Sequence, residues 1–202
     1  MLKKFERRVM EKLNNISQIQ AGFTLARAKA SPSSSETYSY KMFSINAFPI
    51  DGIQMVCGYE NPYLSSEKIS KNYITHKGDV VIRLREPIKS LFITKDEEGL
   101  LVSSLAVIVR VDENEILGEY LAYYLNSTLA QNYFQTKVRG TAIPMIRVAD
   151  LKEMPIPTPS LSRQRQIVAL MRESDRQTSL LSELIKQKTR LKQQFFKSLI
   201  KE

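Results

Sequence analysis

The strongest constraint on this chain lies in its last quarter. Pro155, Pro157 and Pro159 alternate in Met-Pro-Ile-Pro-Thr-Pro, and neither Pro nor Gly occurs again up to Glu202. Proline fixes its own φ and pushes the preceding residue toward extended geometry. Residues 154–159 therefore read as a stiff extended strut. The stretch behind it has the opposite character. Ser160 or Ser162 can cap a helix start, and apolar residues recur at helical spacing from Ile167 onward. With Ile167 at a and Leu170 at d of a heptad, the core positions become Ile167, Leu170, Ser174, Gln177, Leu181, Leu184, Lys188, Leu191, Phe195 and Ser198. Met171, Leu180, Ile185 and Leu199 widen the stripe. The pattern predicts one helix over 160–202, about 50 Å or more in length from its rise per residue, that packs on a partner helix. The polar entries argue against a long, strict two-stranded zipper. A helix folded back on its own domain is the competing arrangement; against it, the strut points the helix away.

Residues 1–153 predict a mixed α/β domain. A first helix is expected to about Leu13, from Leu2, Phe5, Val9, Met10 and Leu13, followed by a short strand or turn over Ile16–Thr24. Residues 30–39 read as a Ser-rich loop, Tyr40–Phe48 as extended, Pro49–Gly52 as a turn and Gly58–Ser66 as irregular. Gly78-Asp79 followed by Val80-Val81-Ile82 predicts a strand. Ser90–Thr94 predicts a second, and the apolar run Leu105–Val109 a third, central in the sheet. Glu119–Gln135 predicts a single helix with Leu121, Tyr124, Leu125, Leu129 and Phe134 on one side, and Ile143–Val148 a short extended piece.

Charge and composition narrow the chemistry. Net charge is +9, which suits an acidic partner such as nucleic acid. The excess sits at the two ends: residues 1–30 carry seven Lys/Arg against two Glu, and residues 160–202 ten against four acids, whereas residues 31–159 carry thirteen against fifteen. The single Cys57 fits a reducing compartment, and no apolar run approaches the ~20 residues of a membrane span. A soluble intracellular protein is expected. One histidine, His76, leaves no catalytic triad and no zinc ligand set. The seven glycines are too dispersed for a phosphate-cradling loop, so no nucleotide cofactor is signalled. Asn61-Pro62-Tyr63 resembles part of the Asn/Asp-Pro-Pro-aromatic motif of amino-methyltransferases, lacks its second proline, and reads as a turn. Glu97-Glu98 reads as solvated.

What remains is binding. Lys68, Lys71, Lys77, Arg83, Arg85 and Lys89, interleaved with Tyr63 and Tyr73, form one basic cluster in sequence. Lys137, Arg139, Arg147 and Lys152 form another around Gly140-Thr141. Such side chains can neutralise phosphates, and arginine can read guanine in the major groove.

Four motifs combine. Ile19-Gln20-Ala21-Gly22-Phe23-Thr24, Gly78-Asp79-Val80-Val81, Tyr120-Leu121-Ala122-Tyr123-Tyr124-Leu125-Asn126-Ser127, and Met154 to Pro159 with Gln164-Arg165-Gln166-Ile167-Val168 together resemble the specificity subunit of type I restriction-modification systems. The resemblance implies a non-catalytic, DNA-reading target recognition domain followed by a spacer helix. A usual subunit carries this pair twice, its two helices packed antiparallel and setting the spacing between the two half-sites. One such pair implies a half-length subunit, or half of a longer one. Two copies would form a homodimer reading an inverted repeat. The apolar blocks Ile167–Met171, Leu180–Ile185 and Leu191–Leu199, with polar gaps roughly symmetric between them, suit antiparallel self-pairing.

The implied partners are double-stranded DNA, an adenine methyltransferase subunit that uses S-adenosylmethionine, and through it a restriction motor subunit. The expected DNA contacts are Arg83, Arg85, Lys89, Lys137, Arg139 and Thr141. The expected coiled-coil contacts are Ile167, Leu170, Leu181, Leu184, Leu191 and Phe195. No cofactor or metal is expected for this chain. The alternatives are an adaptor that assembles proteins through its coiled coil without touching DNA, and a methyltransferase fragment.

Overall fold

The computed structural model describes residues 10–31, 36–56, 60–138 and 144–200. Four of the eight strands among these described residues build the central sheet: β2 (Ser17–Ala21), β5 (Val80–Arg83), β6 (Ser90–Phe92) and β7 (Ala106–Val111), in the order β2-β7-β5-β6. All neighbours in it are antiparallel. The apolar run expected at the centre of the sheet is β7, paired on both sides.

Apolar neighbours along β5 and β7 have a simple cause. Successive strand residues point to opposite faces, and here both faces are covered. Val80, Ile82, Val107 and Val109 join a cluster with α1 (Gly118–Asn126), α2 (Thr128–Lys137), α3 (Val148–Lys152) and the base of α4 (Leu161–Ile200). Val81, Leu91 and Ile108 join Phe43, Ala47, Leu100 and Val102 on the other face. A third cluster under β3 (Tyr38–Met42) and β4 (Glu60–Ser65) holds Phe23, Met42, Ile69 and Leu101, with Tyr63 and Tyr73 packed against it. The two tyrosines interleaved with lysines are thus packing residues. Glu97 is structural as well: its carboxylate accepts from the Thr94 N–H at 2.7 Å and closes a capping box.

Several local expectations are corrected. Residues before Met10 lie outside the described part of the expected first helix, but Met10–Lys12 is strand β1 and a 3-10 turn follows. Residues 60–65 form β4 rather than an irregular segment, and Asn61-Pro62-Tyr63 is strand, not turn. Pro62 fits because it sits opposite the register shift between Tyr40 and Met42 in a two-stranded ladder, where a missing N–H costs no pairing. The single helix expected over 119–135 is two. Ser127 has extended backbone, its hydroxyl accepts from the Ala130 N–H at 3.4 Å, and it caps α2. The extended piece expected over Ile143–Val148 is non-helical through its described residues 144–147, and α3 begins at its last residue, Val148.

The proline segment is extended but does not stand alone. Strand β8 (Pro155–Pro157) pairs antiparallel with β1, and Ile156 and Met154 are fully buried. Beyond it, α4 runs for 40 residues, about 60 Å at 1.5 Å per residue. Ser160 caps its start by accepting from the Arg163 N–H at 3.4 Å.

Candidate functional site

The base of α4 is fastened to the domain. Gln164, fully buried, is the hub of this joint. Its Oε1 accepts from the N–H of Leu117, the N-cap of α1, at 2.8 Å. Its Nε2 donates to the carbonyls of Glu115 at 3.0 Å and Pro159 at 2.8 Å. One amide therefore ties the start of α1, the loop before it and the end of the proline segment together. Val168 is buried beside it, with Ile167 and Met171 packed on the same core.

Helix α1 supplies the opposing surface. Tyr120, Tyr123 and Tyr124 stand at i, i+3 and i+4, hence on one side of the helix. The Tyr120 hydroxyl donates to the Pro157 carbonyl at 2.9 Å and that of Tyr124 to the Pro155 carbonyl at 3.2 Å. The Tyr123 hydroxyl donates to Asp175 Oδ2 at 2.8 Å. Burial, first, and the Asp175 carboxylate, second, raise the Tyr123 phenol well above its ordinary range, so it stays a donor. A bidentate ion pair between Arg172 and Glu119 lies on the same side. The first turns of α4 are thus held on the domain, in contrast to the expectation that the strut directs the whole helix away.

Past the joint the helix changes character. Every residue from Arg176 to Ile200 is exposed. Leu181, Leu184, Leu191 and Phe195 are 60–65% exposed, and Leu170 is 71% exposed. At about 100° per residue these five fall within an arc of about 80°. Gln164, Val168 and Asp175 fall on the opposite side of the helix, against the domain. Ile167 differs from the other expected coiled-coil residues: it packs partly on the core of its own domain.

Of the expected DNA contacts that are described, Arg83, Arg85 and Lys89 lie together at one end of the sheet. Arg83 ends β5, and its N–H donates to the Lys89 carbonyl at 2.9 Å, so the two residues face each other where the β5–β6 hairpin opens. Lys89 Nζ donates to the Ile50 carbonyl at 2.9 Å. Arg85 bridges Met145, and the Glu86 N–H donates to the Pro144 carbonyl. Lys137, in the last turn of α2, stands over the Tyr133 ring at 5.6 Å. Gln131 ties α2 to this hairpin by donating to the Ile88 carbonyl at 3.2 Å. The Nε atoms of Arg83 and Arg85 are buried with no hydrogen-bond partner among the described residues. Arg139 and Thr141 lie outside those residues. The other basic residues of the sequence cluster disperse: Lys77 precedes β5, at the opposite end from Arg83.

The Gly-Asp motif at the start of β5 is structural. Gly78 takes φ +93, a conformation that favours glycine. Asp79 Oδ2 accepts from the His76 N–H at 2.8 Å, while Arg110 Nε donates to Oδ1 at 3.2 Å. Burial raises the Asp79 carboxyl above the usual range despite these contacts. Among the described residues no group of three or more His, Cys, Asp or Glu side chains is placed to hold a metal ion, and no helix is long and apolar enough to cross a membrane.

Known proteins share this fold. The sequence model of the type I restriction modification DNA specificity domain matches residues 9–190, and the chain belongs to that family. Such a domain is a recognition subunit and not a catalytic one. Among solved structures, a chain from work on complex assembly and conformational transition of a type I system is 20% identical, with a TM-score of 0.59 over 89% of this chain and 41% of that one. The type I specificity subunit of M. genitalium is 18% identical, with a TM-score of 0.58 over 92% and 44%. The HsdS subunit of Thermoanaerobacter tengcongensis is 19% identical, with a TM-score of 0.56 over 90% and 40%. The chain thus spans less than half the length of each of these structures, and the likeness is one of fold. No curated protein matches.

Gln164 and Tyr123 lie within two of the four motifs, but their bonding partners, Asp175 among them, do not stand out in the sequence alone. A signal is present nonetheless: three tyrosines at i, i+3, i+4, and an interruption of the apolar stripe at Ser174–Gln177 where the helix leaves the domain.

Proposed function

We propose that this chain is the DNA-specificity subunit of a cytoplasmic type I restriction-modification complex. It reads one half of a bipartite double-stranded DNA target and recruits the adenine methyltransferase subunit, and through that complex the restriction motor. Residues 1–153 form the recognition domain, 154–159 the strut, and 160–202 the spacer helix. Two copies, or this unit and a second one of its kind, pair antiparallel through α4. Leu170, Leu181, Leu184, Leu191 and Phe195 carry the contact and Ile167 sits at its edge. The single supporting observation is the exposed stripe on the side of α4 that faces away from the domain, carried by a member of the specificity-domain family. A second helix can reach that side without displacing the domain. Arg83, Arg85, Lys89, Lys137, Arg139 and Thr141 contact the DNA, the basic side chains through phosphates or base edges.

The test is a gel shift with the methyltransferase subunit present. The expected result is binding that falls steeply with salt, because each neutralised phosphate releases counterions, and that prefers one sequence. Salt-insensitive binding without sequence preference sinks the proposal.

A further inference from the structure

We infer that the latch between α1 and α4, Tyr123 to Asp175 and Glu119 to Arg172, sets the number of base pairs allowed between the two half-sites. This rests on the function proposed above. Gln164 and the apolar contacts of Ile167, Val168 and Met171 hold α4 at its base, but attachment confined to about two turns leaves a long rod room to swing. Arg172 and Asp175 lie eight and eleven residues further along, about 12 and 16 Å by helical rise. Two points of attachment that far apart define a direction, and the ion pair and the phenol–carboxylate bond supply the second point.

The geometry amplifies small angles. A base-reading surface lies about 20 Å from the joint, on the radius expected for a domain of this size. A swing of about 10° there displaces it by about 3.5 Å, close to the ~3.4 Å rise of one base-pair step. The domain reads the same bases whichever way it is tilted, so the latch governs the gap and leaves the half-site sequence alone. The pair is suited to this role because it is the last attachment before α4 runs free, and because neither bond belongs to the core. Tyr123 is mostly buried by its ring, while its hydroxyl reaches out to Asp175.

The experiment uses the full chain with its methyltransferase subunit and a duplex library with a randomised centre, from which bound molecules are selected and sequenced. Wild type is compared with Tyr123→Phe, Asp175→Asn and the double variant Tyr123→Phe/Arg172→Gln, each checked for an unchanged circular dichroism spectrum. The expected result is one half-site sequence throughout. Wild type selects one dominant gap. The double variant spreads over neighbouring gaps, with the preference for the dominant gap over its neighbours falling about tenfold, and the single variants fall in between. An unchanged gap preference in the double variant overturns the inference.

A DNA-free readout separates this failure from failure of the functional proposal. Spin labels at Lys95→Cys and Arg190→Cys, in a Cys57→Ser background and diluted with unlabelled chain, report the angle as a distance distribution. The double variant should broaden it. A distribution as narrow as wild type refutes the latch whatever the DNA result. A library that selects no sequence with wild type, beside a distribution that broadens, refutes the DNA-reading role alone.

Discussion

Gln164→Leu removes three hydrogen bonds and keeps most of the side-chain volume. Left behind are the Leu117 N–H, the first orphan donor of α1, and the carbonyls of Glu115 and Pro159. A buried polar group without a partner costs about 1–3 kcal/mol. Glu115 is an exposed residue and Pro159 is half-buried, so water can recover part of the loss at both carbonyls. The sum is then about 2–4 kcal/mol, a large share of the ~5–15 kcal/mol of a typical domain. At about 2–4 °C per kcal/mol for a chain of this size, the melting temperature drops by about 4–16 °C. Circular dichroism melts and urea titrations at one fixed protein concentration measure it, since association shifts melting. Gln164→Glu sharpens the test. It keeps an acceptor for Leu117 but sets a buried carboxylate against two carbonyls, so the folded state favours its protonated form and its pKa rises above the unfolded ~4.3. That variant is therefore most stable below about pH 4.3 and loses stability as pH rises through the folded pKa. A loss under about 0.5 kcal/mol for Gln164→Leu, or a Gln164→Glu penalty that shrinks as pH rises from about 4 to 7, would falsify the reading of Gln164 as the hub of the joint.

Leu184→Glu places a charge near the middle of the exposed stripe, close to its own copy in an antiparallel pair; the dimer dissociation constant should rise at least ~100-fold by analytical ultracentrifugation, and an unchanged constant contradicts the pairing. Asp79 has a raised folded pKa, so its contribution is full below the unfolded ~3.9 and declines as pH rises through the folded value. The stability difference between wild type and Asp79→Asn should accordingly be larger at about pH 4 than at pH 7 in urea titrations, and the reverse order refutes the burial argument. Ser127→Ala removes the cap of α2 and should cost about 1 kcal/mol; no measurable loss means that Ser127 is not what divides α1 from α2.

What is legible in the sequence follows from periodicity. β5 and β7 stand out because both faces of the sheet are covered, which turns alternation into an unbroken apolar run. The final helix stands out because forty residues without Pro or Gly keep a stripe. The motifs on either side of the joint are legible, but the contacts between them are hidden for a different reason. Gln164 bonds to residues 47 and 49 positions away, and Tyr123 to one 52 away, and no local pattern encodes such pairs. The same holds for β1 and β8: a proline triplet announces extended backbone, but not that Met10–Lys12 will pair with it. In sequence, Ser174 to Gln177 look like a weakness in a coiled-coil stripe. They mark the place where α4 stops serving its own domain. The basic residues proposed to read DNA are legible only as charge, and the fold gathers Arg83, Arg85 and Lys89 at one end of the sheet while separating them from Lys77.

The central claim is that this chain, paired through α4, reads a bipartite sequence for an adenine methyltransferase. Methylome sequencing of a host that carries only this chain and its methyltransferase subunit measures it directly. The expected result is one methyladenine motif with two half-sites in inverted repeat around a gap of fixed length. The absence of any methyladenine motif would contradict the claim, and an asymmetric bipartite motif would contradict pairing between two identical copies.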